Sequence, residues 1–319
     1  MANLPMTVAG IDIGANTFRM LIARVSEGGM EPFVKKIKTI GLGRGLVREN
    51  RISRESMDRG LKTLASFRQI LDNHKPDAGR ACGTEALRSA DNSSEFLEKA
   101  VQVLGIEIEV IGGQDEALLS LSGVLSRMTD REGQPMLLVD VGGGSTEFIY
   151  YQDREKKPNI RSLPIGAVGL TESFFYQPLP ASTEVDSLTG YIRKTLAPVS
   201  RMLHRDHLRD LSTAFPEIVA AGGTATSLAA LDLGLETYKG FLVQGHVLTE
   251  SSLERIINEI SLLSPGERNF LPGLDKGRGD IILAGAMIYK VLLEMNDVHH
   301  ITVSDAGLLE GIVYSAFKN

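Results

Sequence analysis

Apolar and polar positions along the chain switch between a two-residue and a helical period. An apolar run over Thr7–Ile13 ends in Asp-Ile-Gly. A second β-prone run covers Thr17–Val25, the Glu27-Gly28-Gly29 turn closes it, and Pro32–Ile40 completes a three-stranded meander. Over Ser53–Leu71 the apolar residues Met57, Leu61, Leu64, Ala65 and Ile70 fall near helical spacing, with Ser53 and Ser56 offering capping hydroxyls. Asp77–Cys82 and Ile106–Ile111 read as strands and Gln114–Arg127 as a helix. Asp130–Pro135 is polar punctuation, and past it the opening pattern returns. Met136–Asp140 is an apolar strand ending in Asp-Val-Gly, Gly144–Tyr151 is the second strand of a hairpin, and Arg161–Pro164 is a candidate third. Helices are predicted over Glu184–Leu203, Leu248–Leu263, Asp280–Glu294 and Leu308–Phe317, with short strands at Glu217–Ala221 and His299–Val303. The order predicts an α/β chain of two similar halves, 1–128 and 129–319, with the last helix free to pack back on the first.

Composition narrows the functional classes. At 319 residues, 43% of them apolar, the chain can fill a core in each half. A formal charge of −6 and a pI near 5.6 supply no general positive field for nucleic acid or membrane surfaces, so an anionic ligand must be held locally. The single cysteine, Cys82, allows no internal disulfide, and no Cys/His group has structural zinc spacing. The first residues show no charged leader followed by a long apolar run. No uninterrupted apolar stretch reaches membrane-span length, and the expected location is the cytoplasm.

The chemistry concentrates in a repeated loop. Asp12-Ile-Gly14-Ala-Asn16-Thr17 and Asp140-Val-Gly142-Gly143-Gly144-Ser145-Thr146 share a plan: an apolar strand delivers an aspartate, a glycine turns the chain, and a hydroxyl opens the next strand. Such glycines let the backbone approach a ligand, and turn amides with hydroxyls form anion-binding concavities. An aspartate at each strand end suits a hydrated divalent cation. One such loop reads as an ordinary hairpin turn; two copies a domain apart point to phosphate binding. A third cluster around Gly222, Gly223 and Thr224 sits where a strand should meet a helix. It reads either as a tight turn with a cap or as an anion site at a helix N-terminus.

Paired loops of this kind resemble the phosphate loops of the actin, Hsp70 and sugar-kinase superfamily. The narrower resemblance is to the exopolyphosphatase and guanosine pentaphosphate phosphatase (Ppx/GppA) family. It rests on Asp12–Arg19, Gly83–Arg88, Ile111–Ala117, Asp140–Glu147, Gly273–Asp280 and Val303–Leu308, in that order over nearly the whole chain. It implies two ribonuclease H-like, actin-like domains with an interdomain cleft, in a short form without the extra helical domain of longer members. Ala15 and Thr17 stand where serines are usual in the family, and Leu309 replaces a frequent arginine before Glu310-Gly311.

Within that resemblance Glu116 matches the catalytic glutamate that orients or deprotonates the attacking water. From position alone, Asp115 is an equal candidate and a solvated first-turn acid the alternative. Asp12, Asp140 and Glu147 are assigned to the cation, with Mg2+ the expected ion. Phosphate contacts are expected from Gly14, Asn16, Thr17, Gly142, Gly143, Gly144, Ser145, Thr146, Gly223 and Thr224, and from the guanidinium groups of Arg19, Arg88 and Arg278. Thr84 belongs with these, although it and Glu85 could equally cap the helix that begins there. Lys35, Lys36, Lys38 and Arg44 are loose candidates for a basic track.

The resemblance implies metal-dependent hydrolysis that frees terminal phosphate from inorganic polyphosphate, guanosine pentaphosphate, or both. Two other classes fit the loop plan: an alarmone or nucleotide sensor that binds the phosphate chain of a ligand such as guanosine penta- or tetraphosphate with little hydrolysis, and an ATP-dependent kinase or chaperone ATPase of the same superfamily. Neither nucleic acid nor membrane is an expected partner. An apolar helical face can serve a core or an interface, which leaves a homodimer open.

Overall fold

Each half opens on an antiparallel meander whose first strand then pairs in parallel with a later one. The computed structural model describes residues 4–128, 135–153, 155–209 and 216–318, with the backbone alone for 205–209. It divides into two compact units, Met1–Arg127 with Ala306–Asn319, and Met128–Asp305.

Unit 1 contains β1 (Met6–Ile13), β2 (Thr17–Ser26), β3 (Gly29–Thr39), α1 (Leu46–Glu49), α2 (Arg54–His74), β4 (Ala78–Gly83), α3 (Glu85–Ser89), α4 (Ser93–Leu104), β5 (Ile108–Val110) and α5 (Gly113–Leu125). Its sheet runs β3-β2-β1-β4-β5. The apolar run of β1 is nearly continuous because both faces are covered. Ala9, Ile11 and Ile13 join Phe18, Met20 and Ile22 against α2 and α4. Val8, Leu21, Ala23 and Val25 join Leu309 and Val313 on the other face. Those last two residues lie on the terminal helix of the chain, Leu308–Lys318, numbered α13 below. Ser53 caps α2 by accepting from the Ser56 amide at 3.2 Å. Edge strand β3 is largely exposed and carries Lys35, Lys36 and Lys38, charges that discourage pairing with another chain.

Unit 2 contains β6 (Met136–Val141), β7 (Thr146–Tyr151), β8 (Asn159–Leu163), α6 (Ala167–Phe174), α7 (Ser182–Arg209), β9 (Glu217–Ala221), α8 (Gly222–Asp232), α9 (Gly240–Val243), β10 (Val247–Thr249), α10 (Glu250–Ser261), α11 (Pro265–Arg268), α12 (Ile282–Asn296) and β11 (His300–Val303). Its sheet runs β8-β7-β6-β9-β11-β10, the order of unit 1 with one further edge strand. Both units are therefore α/β layers of the ribonuclease H-like, actin-like type. Helix α12 is apolar on nearly every side and is buried in the unit's main core.

The helix expected over Leu248–Leu263 is corrected at its start. Val247–Thr249 forms β10, antiparallel to β11. The helix begins at Glu250 because Thr249 caps it, its hydroxyl accepting from the Ser252 amide at 3.1 Å. Helices α4 and α6 were not singled out by periodicity. Of the expected polar break, Asp130–Gln134 lie outside the described residues. Among the described residues no helix is long and apolar enough to cross a membrane.

Two glycines let α5 and α13 touch through their backbones. A Cβ at Gly123 would lie 1.9 Å from the Gly307 carbonyl oxygen, and one at Gly311 would lie 1.9 Å from that of Leu119. Neither neighbour is a side chain that can swing away. Gly311→Ala should therefore destabilise the protein by about 2 kcal/mol, the usual scale of overpacking. An unchanged urea midpoint would show that the helices part without cost.

Candidate functional site

In unit 1 the first loop is a tight turn: the Gly14 amide donates to the Thr17 carbonyl at 3.1 Å. The chain after β3 braces it, with the Ile40 and Gly41 amides donating to the Asn16 carbonyl at 2.8 and 2.9 Å and the Gly43 amide to that of Ala15 at 2.8 Å. Asn16 is only 4% exposed, yet neither polar atom of its side chain has a hydrogen-bond partner. A buried amide without a protein partner is costly, which marks Asn16 as a group able to meet a polar ligand. At the end of β1, buried Asp12 stands opposite Arg19 across the hairpin and accepts from its Nε at 2.6 Å. Thr17 is buried beside them.

The same unit brings Glu116 to Arg88. Arg88 Nη1 donates to the Ile111 carbonyl at 2.6 Å and to Glu116 Oε2 at 2.9 Å, and makes no other bond among the described residues. Glu116 is 9% exposed in the first turn of α5, whereas the helix period turns Asp115 to solvent. That separates two acids equivalent by sequence position. Thr84 precedes α3 but its side chain makes no capping bond, so the capping alternative is not used. The lysines of β3 do not form one track. Alternation sets Lys35 on the face opposite Lys36 and Lys38, and Lys35 pairs with buried Glu310 of α13 at 3.4 Å.

In unit 2 the Gly142 amide donates to the Ser145 carbonyl at 2.9 Å, repeating the turn of unit 1. The carbonyls of Gly142 and Gly143 accept from Ala167 and Val168 at 2.9 and 2.8 Å, and a Cβ at Gly166 would lie 2.4 Å from Gly143. Gly142, Gly143 and Gly144 are thus stacked on the start of α6, with buried Ser145 closing the turn. The hydroxyls of two expected phosphate donors have partners within the fold. The Thr146 hydroxyl donates to the Ile165 carbonyl at 2.6 Å and the Thr224 hydroxyl to that of Val141 at 3.1 Å, which commits both protons to the fold.

Asp140 stands opposite Glu147 across β6 and β7, the position that Asp12 and Arg19 hold in unit 1. Glu147 Oε1 accepts from the Ser162 hydroxyl at 2.8 Å. The Asp140 carboxylate lies on the start of α8, where a Cβ at Gly222, whose φ is +82°, would come within 2.2 Å of Oδ1. Arg278 is 7% exposed, and its guanidinium lies against Gly223, within 2.1 Å of where a Cβ would be. One turn of α8 therefore has a carboxylate on one residue and a guanidinium on the next.

The Ppx/GppA phosphatase family pattern matches residues 21–319. The chain belongs to this family. It is 30% identical over 308 residues to the guanosine-5'-triphosphate,3'-diphosphate pyrophosphatase of Vibrio vulnificus and 32% identical to that of Vibrio parahaemolyticus. It spans 96% of its own length but 58% of theirs in each case. Among solved structures it is similar to the Aquifex aeolicus PPX-GPPA enzyme, at 31% identity and TM-score 0.78, covering 98% of this chain and 100% of that one. It is also similar to an exopolyphosphatase from Cytophaga hutchinsonii, at 26% identity and TM-score 0.86, covering 98% and 97%.

The family sets a test for a divalent cation. Like charges directly opposite in a sheet repel, and Asp140 and Glu147 are such a pair, so their side of the hairpin fits a cation. Asp12 fits one less well, because Arg19 already meets its charge. No cluster of three or more His, Cys, Asp or Glu that could hold a metal occurs among the described residues. A pair of carboxylates completed by water and phosphate oxygens is a shell that magnesium accepts.

Arg268 and Asn269 are isolated in sequence, with no spacing to mark them. Nor did sequence assign Cys82 a role. Cys82 pairs with Asp12 across β4 and β1. Burial pushes its thiol up to about 12, with Glu109, Asp12 and Glu116 adding to the rise and Arg80 opposing it. At pH 8 only about one part in ten thousand is thiolate, the reactive form. Iodoacetamide at pH 8 should leave the native protein unlabelled and add one carbamidomethyl group in guanidinium chloride, read by intact mass. Rapid labelling of the native protein would contradict the enclosed site.

Proposed function

We propose that the protein releases orthophosphate from the end of a phosphoanhydride chain by in-line attack of water. The observation that carries this reading is the Glu116–Arg88 pair at the start of α5, in the same unit as the Gly14–Thr17 loop. A kinase must keep water from the transferred phosphoryl group, whereas a hydrolase needs a base, such as an ionised carboxylate, to orient water and accept its proton. Arg88 anchors one carboxylate oxygen of Glu116, which fixes the direction in which the base acts. The water oxygen bonds to the terminal phosphorus, the bridging P–O bond breaks, and the shortened chain leaves with the bridging oxygen.

Each unit also carries groups suited to holding and neutralising phosphate. In unit 1, Asn16 and Thr17, presented by the turn at Gly14, with Arg19 and Arg88, offer backbone amides, an enclosed side-chain amide and guanidinium forks. In unit 2, Gly143 to Ser145, presented by the turn at Gly142, with Gly223 and Arg278, offer backbone amides, a hydroxyl and a guanidinium. Thr84 contributes a hydroxyl. Magnesium held by Asp140 and Glu147 would offset the charge of the phosphate oxygens. The names of the relatives support two substrates, guanosine pentaphosphate and inorganic polyphosphate, and both carry the terminal anhydride that this chemistry needs.

The test is phosphate release with magnesium from long polyphosphate, tripolyphosphate and guanosine pentaphosphate at equal concentrations of terminal groups. Glu116→Gln keeps the shape and removes the base, so kcat should fall by about a hundredfold or more. Chelation of the metal should abolish release and added magnesium restore it. Turnover near the parent level in Glu116→Gln would remove that residue from the chemistry. Tight binding of guanosine tetraphosphate without release from any of the three substrates would replace the hydrolase with a sensor.

A further inference from the structure

Arg268 is the largest fully enclosed side chain among the described residues, 1% exposed, and no step above uses it. Burying a guanidinium is costly, and it persists only where hydrogen bonds hold it. Arg268 Nε donates to the Ile260 carbonyl in α10 at 2.6 Å, and Nη1 donates to the Gly279 carbonyl at 3.1 Å. Burial pulls this guanidinium below the ordinary arginine range, with the charge of Asp280 opposing. One residue on, Asn269 Oδ1 accepts from the Gly277 amide at 2.8 Å and the Gly279 amide at 3.0 Å. Both residues on either side of Arg278 are therefore tied to the end of α11.

The bracket is itself stiff. Helix α11 starts with Pro265 and is closed by a capping box: the Ser264 hydroxyl accepts from the Glu267 amide at 3.3 Å, and Glu267 Oε2 accepts from the Ser264 amide at 2.8 Å. The fit to the loop is close, since a Cβ at Gly279 would lie 2.4 Å from the Pro265 carbonyl oxygen and 2.9 Å from Asn269 Oδ1. Gly277 has a φ of +85°, a conformation that glycine adopts without strain. The loop continues into α12 through Ile281 and Ile282, whose amides donate to the Arg278 carbonyl at 3.1 and 3.0 Å. Arg278 is thus fixed at its own backbone and at both neighbours, with its guanidinium on the first turn of α8.

We propose that Arg268 and Asn269 are positioning residues that hold the Gly277–Gly279 loop so that Arg278 meets the substrate's phosphate at the start of α8. The inference rests on the assignment of Arg278 to phosphate made above. A long side chain loses rotamer freedom when it binds, and a fixed backbone reduces what remains to be lost. Nothing in the bracket touches substrate; it acts through Arg278.

A double-mutant cycle read by KM and kcat for phosphate release, with tripolyphosphate and guanosine pentaphosphate as probes, tests this. Asn269→Ala should raise KM about tenfold with thermal unfolding little changed. Asn269→Asp, which keeps the accepting oxygen, should stay within about twofold of the parent. In an Arg278→Ala background, Asn269→Ala should add almost nothing, because the two changes remove the same contact. Arg268→Met fills a similar volume without the buried charge and supplies a second variant; its KM defect should also vanish in that background. Additive effects, or parental kinetics in both bracket variants, would overturn the positioning role while leaving Arg278 as a phosphate ligand. A silent Arg278→Ala would instead overturn the assignment of Arg278, and the bracket's role would fall with it. No release from either probe by the parent protein would overturn the hydrolase reading itself.

Discussion

The register of one hairpin governs the candidate loop in each unit. In each unit the first strand ends on an aspartate, and the turn that follows sets a fixed partner opposite it: Arg19 for Asp12, Glu147 for Asp140. A slip of one residue would send each of these side chains to the other face of its sheet. The backbone plan is the same and the electrostatics are not. One hairpin closes its charge internally, while the other brings two carboxylates side by side and suits a cation. A repeated backbone plan thus carries two different charge pairs at the same register position.

Close backbone approach is the second constraint, and it links stability to function. The Gly142–Ser145 turn rests on the start of α6, and Gly222 and Gly223 leave room for Asp140 and Arg278 at the start of α8. Unit 1 uses the same means at a distance from the loop, where Gly123 and Gly311 seat α5 on α13. Helix α5 carries Glu116, so the packing of the last helix bears on the placement of the proposed base. In these places glycine is required because the space belongs to another group.

Much of the candidate site was legible because its residues are local in sequence. The hairpin loops, the Gly222–Thr224 turn and the acid at the start of α5 are each a few residues long, and their spacing carries their chemistry. What was not legible depends on residues far apart in the chain. The commitment of Thr146 and Thr224 to the carbonyls of Ile165 and Val141 cannot be read from loops that look ready to bind phosphate. The split of the β3 lysines follows from alternation, but the pairing of Lys35 with Glu310 spans most of the chain. The helix expected at Leu248 was misplaced at its start because a segment as short as Val247–Thr249 suits a strand or a helix equally, and only pairing with β11 decides between them.

By itself, the sequence determined the two-unit α/β plan, the repeated aspartate loops and the family, since periodicity and short motifs are properties of neighbouring residues. Which of Asp115 and Glu116 meets Arg88 belonged to the tertiary structure, because a helix shows only one of two adjacent residues to it. So did the bracket of Arg268 and Asn269 around Arg278, where carbonyls and amides eight to eleven residues away meet one side chain or the next. Local patterns fix which groups are present; burial and long-range hydrogen bonds fix which of them remain available to a ligand.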